Sequence, residues 1–207
     1  MQEEIANPVF AVIDHALDVK AQLDRGRAPV LSAEQATLKQ LLSEESEFQR
    51  YSDVTALLDI RYALVCWLDE MFVLSSAWGA QWNEQKLEVD LFGTNDRAWK
   101  FWEKARRALT RSDSDVLEVY YLGVMLGFRG ELHDDPAALQ AWSAAARSQI
   151  ERNQAQVWAP PPELDPPSHV PPLHGRERFG QMVVRGGVAL LILIPCAVFF
   201  LVQQLRR

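Results

Sequence analysis

Three carboxylates inside apolar sequence are the residues of this chain best suited to chemistry. Asp69 and Glu70 stand side by side at the end of the run Tyr62–Leu68, and Glu118 lies in a second apolar run, Asp115–Leu126. Carboxylates in such surroundings can hold raised pKa values and act as general acids or bases. One function class is therefore an acid–base enzyme using Asp69, Glu70 and Glu118, which requires a concave site where the three converge. The competing reading is structural: carboxylates on a buried helix accept bonds from backbone amides or tie the helix to the loop that follows. Neighbours on a helix point about 100° apart, so at most one of Asp69 and Glu70 is expected to face the core. The chain has no phosphate-cradling glycine loop, no Gly-x-Ser-x-Gly elbow, no His-Glu-x-x-His and no Cys-x-x-Cys, which favours the structural reading. No cofactor or metal site is expected. Asp135 in His133-Asp134-Asp135 reads as the cap of a helix that Pro136 starts rather than as a cation ligand.

Seven tryptophans invite a binding role. Trp67, Trp78, Trp82, Trp99 and Trp102 stand at spacings suited to a core, and simple packing is the favoured reading. In Trp99-Lys100-Phe101-Trp102-Glu103-Lys104-Ala105-Arg106-Arg107 aromatic and basic residues alternate, a superficial nucleic-acid signature. Helical spacing instead gathers Lys100, Lys104 and Arg107 on one solvated face, which reads as a basic protein-contact stripe. Cys66 and Cys196 read as free thiols, one in an apolar run and one in a C-terminal anchor.

Six helices must position these groups, and no strand is evident. The first starts at Asn7-Pro8 with Phe10, Ile13 and Leu17 on its inner face and ends at Gly26–Pro29. The second opens on a capping box, Ser32-x-x-Gln35. The third, from about Asp53 to Ser75, is apolar almost all round and must be central. After Trp78-Gly79 and a short turn at 86–92, Thr94 or Asn95 caps a fourth helix, with Ala98, Trp102, Ala105 and Leu109 inward. Ser112–Ser114 caps a fifth that Gly127 stops, and a sixth runs from Pro136 to about Asn153.

Residues 155–181 read as a proline-rich linker, since seven of the eleven prolines fall between Pro160 and Pro172. Polyproline II geometry makes it a semi-rigid spacer. The run 182–205 is expected to be a transmembrane helix: after Arg185, Gly186–Leu205 is uncharged, and about 20 residues at 1.5 Å each span a bilayer's hydrocarbon core. Residues 1–154 form the cytoplasmic domain, because the acidic start lacks the features of a signal peptide, and 206–207 form a short tail beyond the span. The expected topology is a single membrane crossing.

The whole chain carries a net charge of −7, and five of its cations lie between 176 and 207 against one carboxylate. The domain ahead of them is therefore more acidic still, and it repels nucleic-acid phosphates and anionic lipid. Proteins with basic patches are the expected partners.

Tyr62-Ala63-Leu64-Val65-Cys66-Trp67-Leu68-Asp69-Glu70, Trp78-Gly79-Ala80-Gln81-Trp82 and Leu117–Gly130, in this order and ahead of a tail anchor, resemble the DotU/TssL family of bacterial type VI, and related type IVB, secretion. The resemblance implies a hook-like all-α domain of two packed three-helix bundles, a place in the bacterial inner membrane with 206–207 in the periplasm, and no catalytic role. It also implies a scaffold that joins a TssM-like inner-membrane partner, through it a TssJ-like lipoprotein, and TssK-like baseplate proteins, and that self-associates as a homo-oligomer. Where relatives carry a Gly-Gly-Glu-x-Phe-Phe-like segment this chain has Asn95–Trp102. The tentative partner-binding set is Asp69, Glu70, Trp78, Trp82, Lys100, Lys104, Arg107 and Glu118. A tail-anchored cytoplasmic adaptor unrelated to secretion is the alternative.

Overall fold

The structure, a computed structural model, describes residues 1–27, 29–43, 48, 53–111 and 114–157. The predicted transmembrane run, the periplasmic tail and nearly all of the predicted linker lie outside the described residues. Among those described, no helix is long and apolar enough to cross a membrane.

The described residues form eight α-helices and one 3-10 turn, with no strand: α1 Glu3–Asp24, α2 Leu31–Leu41, α3 Val54–Ser75, α4 Gly79–Glu84, α5 Leu87–Phe92, α6 Arg97–Thr110, α7 Ser114–Met125, the 3-10 turn Gly130–Leu132 and α8 Pro136–Val157. Six are the expected long helices. The other two, α4 and α5, fold the loop between Ser76 and Asn95 into two short turns of helix.

α3 is the hub, packing against α7, α4, α5, α6 and α1. Its centre, from Ile60 to Glu70, is buried throughout, as an all-round apolar helix demands. Asp53 caps its start by accepting from the amides of Thr55 (2.9 Å) and Ala56 (3.0 Å). Aromatic rings fill the space around it. Phe101 of α6 meets Phe128 at 3.9 Å between centroids, and Trp102 meets Trp142 of α8 edge-on at 5.2 Å. Trp67 is fully buried and its indole donates to the Leu126 carbonyl at 3.4 Å.

Three local expectations are corrected. α1 begins at Glu3, so Pro8 lies inside the helix rather than at its start; the Gln2 amide donates to Asp115 at 3.0 Å and Ile5 is buried, which holds the first turn in place. The inner face of α1 is Ile5, Val9, Val12, Ile13, Ala16, Val19 and Leu23, and Phe10 and Leu17 point outward. Ser32 and Gln35 form no capping box, since α2 starts one residue before Ser32; Gln35 instead donates its amide to the Gln85 carbonyl at 2.8 Å. Asp135 does cap α8, accepting from the Ala138 amide at 2.9 Å.

Candidate functional site

Asp69 is fully buried. One carboxylate oxygen accepts from the Trp82 indole N–H (2.8 Å) and the Leu87 amide (2.9 Å), and the other accepts from the Glu88 amide (2.9 Å). Leu87 and Glu88 open α5, whose own N-cap residue, Lys86, supplies no side-chain bond. A carboxylate of one helix thus caps another, satisfying amides that have no partner inside their own helix. Burial pushes the Asp69 carboxyl above its ordinary range, and the three hydrogen bonds pull it back part of the way.

Glu88, which the sequence reading did not single out, continues the chain of caps. It is fully buried and accepts from the Tyr62 hydroxyl (2.9 Å), the Thr94 hydroxyl (2.9 Å), and the amides of Asp96 (2.8 Å) and Arg97 (3.1 Å). Those amides begin α6, so Glu88 caps that helix in place of Thr94 or Asn95. Thr94 bonds Glu88 itself, and Asn95 accepts from the Lys86 ammonium at 3.0 Å. Burial, with the nearby Cys66 and Glu88, holds the Tyr62 hydroxyl well above the phenol range.

Glu70 points the other way and is also buried, which corrects the expectation that only one of the pair faces inward. α3 has neighbours on several sides, so a turn of about 100° still ends inside the protein. Glu70 accepts from the amides of Arg129 (2.6 Å) and Gly130 (3.0 Å) in the loop after α7. Gly130 has a φ of +52°, and a Cβ there would lie 2.6 Å from the Ala98 carbonyl oxygen. Only glycine allows this close approach. The Trp102 indole donates to the Arg129 carbonyl at 2.7 Å, tying the same loop to α6.

A cleft of about 210 Å³ opens beside this clasp, walled by Trp67, Glu70, Met71, Leu74, Leu126 and Arg129 among others. Two of its apolar walls are exposed, Leu74 at 68% and Leu126 at 36%, and Met125, the residue before Leu126, is 52% exposed.

The remaining members of the predicted set are dispersed. Trp78 and Trp82 are buried, Trp82 stacking on Phe72 at 4.3 Å and Trp78 packing against the same ring at a tilt, so they meet a partner only through the elements they hold. Lys100, Lys104 and Arg107 share a helix but do not form an open basic stripe. Lys104 is paired with Asp59, which also takes Arg111 at 3.2 Å. Lys100 and Lys104 both sit over the Tyr62 ring, at 5.6 and 5.4 Å, and Arg107 pairs with Glu103 at 2.7 Å. Glu118 receives the N-terminal ammonium of Met1. Asp69, Glu70 and Glu118 therefore serve three different seams. Among the described residues no group of His, Cys, Asp and Glu is arranged to hold a metal ion.

Solved structures share this arrangement of helices. The cytoplasmic domain of TssL from Acinetobacter baumannii superposes with a TM-score of 0.59 at 18% identity, over 70% of this chain and 98% of that one. DotU from Francisella novicida gives 0.59 at 14% identity, over 72% and 99%. SciP/TssL from enteroaggregative Escherichia coli 042 gives 0.55 at 23%, over 70% and 89%. The family model described as type VI secretion system protein DotU matches residues 5–204. The chain belongs to the DotU family. Comparison with the curated proteins gives no match. The DotU match spans both the helical domain and the apolar C-terminal run, and it makes this chain a member of a family of structural, inner-membrane-associated components of the type VI secretion machine.

Proposed function

We propose that this DotU-family chain is a non-catalytic scaffold that docks the cytoplasmic baseplate to a TssM-like inner-membrane partner, and through it to a TssJ-like subunit. The observation that carries this reading is the use made of the buried carboxylates. Asp69, Glu70 and Glu88 spend their oxygens on helix starts and a loop, which is the work of a rigid frame. Beside that frame, Leu74, Met125 and Leu126 offer apolar surface of the kind that marks protein contacts.

The scaffold is held to the membrane by residues 182–205, with residues 1–154 in the cytoplasm and 155–181 as the spacer. Eleven Leu, Ile, Val or Phe residues between Val188 and Val202 support insertion, each contributing about −0.3 to −0.6 kcal/mol at the helix centre. The test is co-purification of the full chain, in detergent, with the TssM-like and TssK-like subunits of its own secretion system. Recovery of both supports the scaffold; recovery of neither, with the chain folded and in the membrane, overturns it.

A further inference from the structure

α1 is apolar on two sides, and only one of them is covered. Ile5, Val9, Val12, Ile13, Ala16, Val19 and Leu23 face the core, while Phe10 and Leu17 remain 46% and 41% exposed. Seven residues are two turns of helix, so Phe10 and Leu17 lie on the same outer side, about 10 Å apart along the axis. Phe10 also forms one wall of a groove of about 460 Å³, whose other walls are Ala6, Tyr121 and Leu122 of α7, and Ile150 of α8. This groove shares no lining residue with the cleft beside Glu70.

The charge around it is one-sided. Within the groove, Glu118 takes the N-terminal ammonium and Arg147 pairs with Glu151 at 2.9 Å, so those charges cancel. Glu3, Glu4 and Asp14 on the exposed side of α1 have no ion-pair partner among the described residues, and Asp18 accepts only from the neutral Gln22 amide, at 2.8 Å. Glu3, seven residues before Phe10, and Asp14, four after it, share its side of α1, and a groove wall flanked by such uncompensated carboxylates is complementary to an apolar ridge bordered by cations.

From this we infer that the α1–α7–α8 groove receives an amphipathic helix of a partner protein, two to three turns long, whose apolar face is flanked by lysine and arginine. Its apolar side chains enter between Phe10, Leu122 and Ile150 and continue along α1 to Leu17, and its cations lie against Glu3, Glu4, Asp14 and Asp18. This is helix-in-groove recognition. It is a second docking surface, independent of the one beside Glu70.

The probe is a fluorescent amphipathic lysine–leucine peptide of about 14 residues, roughly four turns, titrated into the full chain in nanodiscs. A glutamate–leucine peptide of the same pattern is the control. The lysine peptide should bind saturably and the glutamate peptide should not. The double variant Phe10→Ala/Leu17→Ala, which removes exposed side chains only, should weaken binding about tenfold or more at unchanged melting temperature. Glu3→Gln/Glu4→Gln/Asp14→Asn should weaken it and flatten its dependence on salt. Equal binding of both peptides, or lysine-peptide affinity untouched by the double variant, overturns the proposal. So does sedimentation showing that the double variant turns a native dimer into a monomer while the peptide fails to compete, which would assign the groove to a second copy of the chain.

Discussion

Asp69 accepts three hydrogen bonds and Glu88 four, and every donor belongs to a different turn of the chain from the acceptor. This arrangement needs a carboxylate and not merely a polar side chain. Asp69→Asn keeps the size but replaces one acceptor with an N–H₂ group that faces a donor. It should cost about 1 to 3 kcal/mol, the usual penalty for a buried polar group left unsatisfied, read as a lower denaturation midpoint of the full chain. The pH dependence has a definite sign. Because the folded carboxyl is raised above its ordinary value of 3.8, the folded state holds this proton more tightly than the unfolded state. The cost of burying the charge is present in full above the folded pKa and is relieved as pH falls through it. The stability gap between the native chain and Asp69→Asn should therefore widen on acidification from neutral pH, and a gap that narrows would contradict the assignment. The apolar run flagged Asp69 and Glu70 from sequence alone. Glu88 gave no such signal, because Lys86–Phe92 is too short to show a periodicity and its burial depends on where α3 and α6 lie.

At the scale of elements, the long helices were legible because apolar periodicity and terminal residues act within one segment. α3 was read as central, and Gly127, at a φ of +111°, ends α7 as expected. What failed was long-range. The true cap of α6 is a glutamate from α5, and the outward side of α1 could not be told from its inward side because both carry large apolar residues. Two substitutions test the packing. Trp67→Ala should destabilise by about 3 to 5 kcal/mol, as loss of a large buried aromatic does; a loss under about 1 kcal/mol would be far below that range and would place Trp67 outside the core. Gly130→Ala forces a left-handed φ on a residue with a Cβ and crowds the Ala98 carbonyl. It should cost about 1 to 3 kcal/mol and release the Arg129 and Gly130 amides from Glu70, seen as faster hydrogen exchange confined to residues 127–132. Native-like exchange there would show that the clasp does not depend on this glycine.

At the scale of the whole molecule, we propose a rigid helical frame that presents apolar surface on an acidic body, with the C-terminal run as its tether. A reporter active only in the periplasm should work when fused after Arg207 and fail when fused at Met1, and the reverse pattern would refute the topology. The central claim separates the frame from the surface: the carboxylates hold the elements in place, and the exposed apolar rim makes the contact. The most direct measurement is capture of the TssM-like partner by the full chain carrying Leu74→Asp and Met125→Asp, with the melting temperature recorded on the same sample. Capture should fall about tenfold or more, as loss of contact hot spots produces, while the melting temperature stays at the native value. Native capture by this folded variant would contradict the claim.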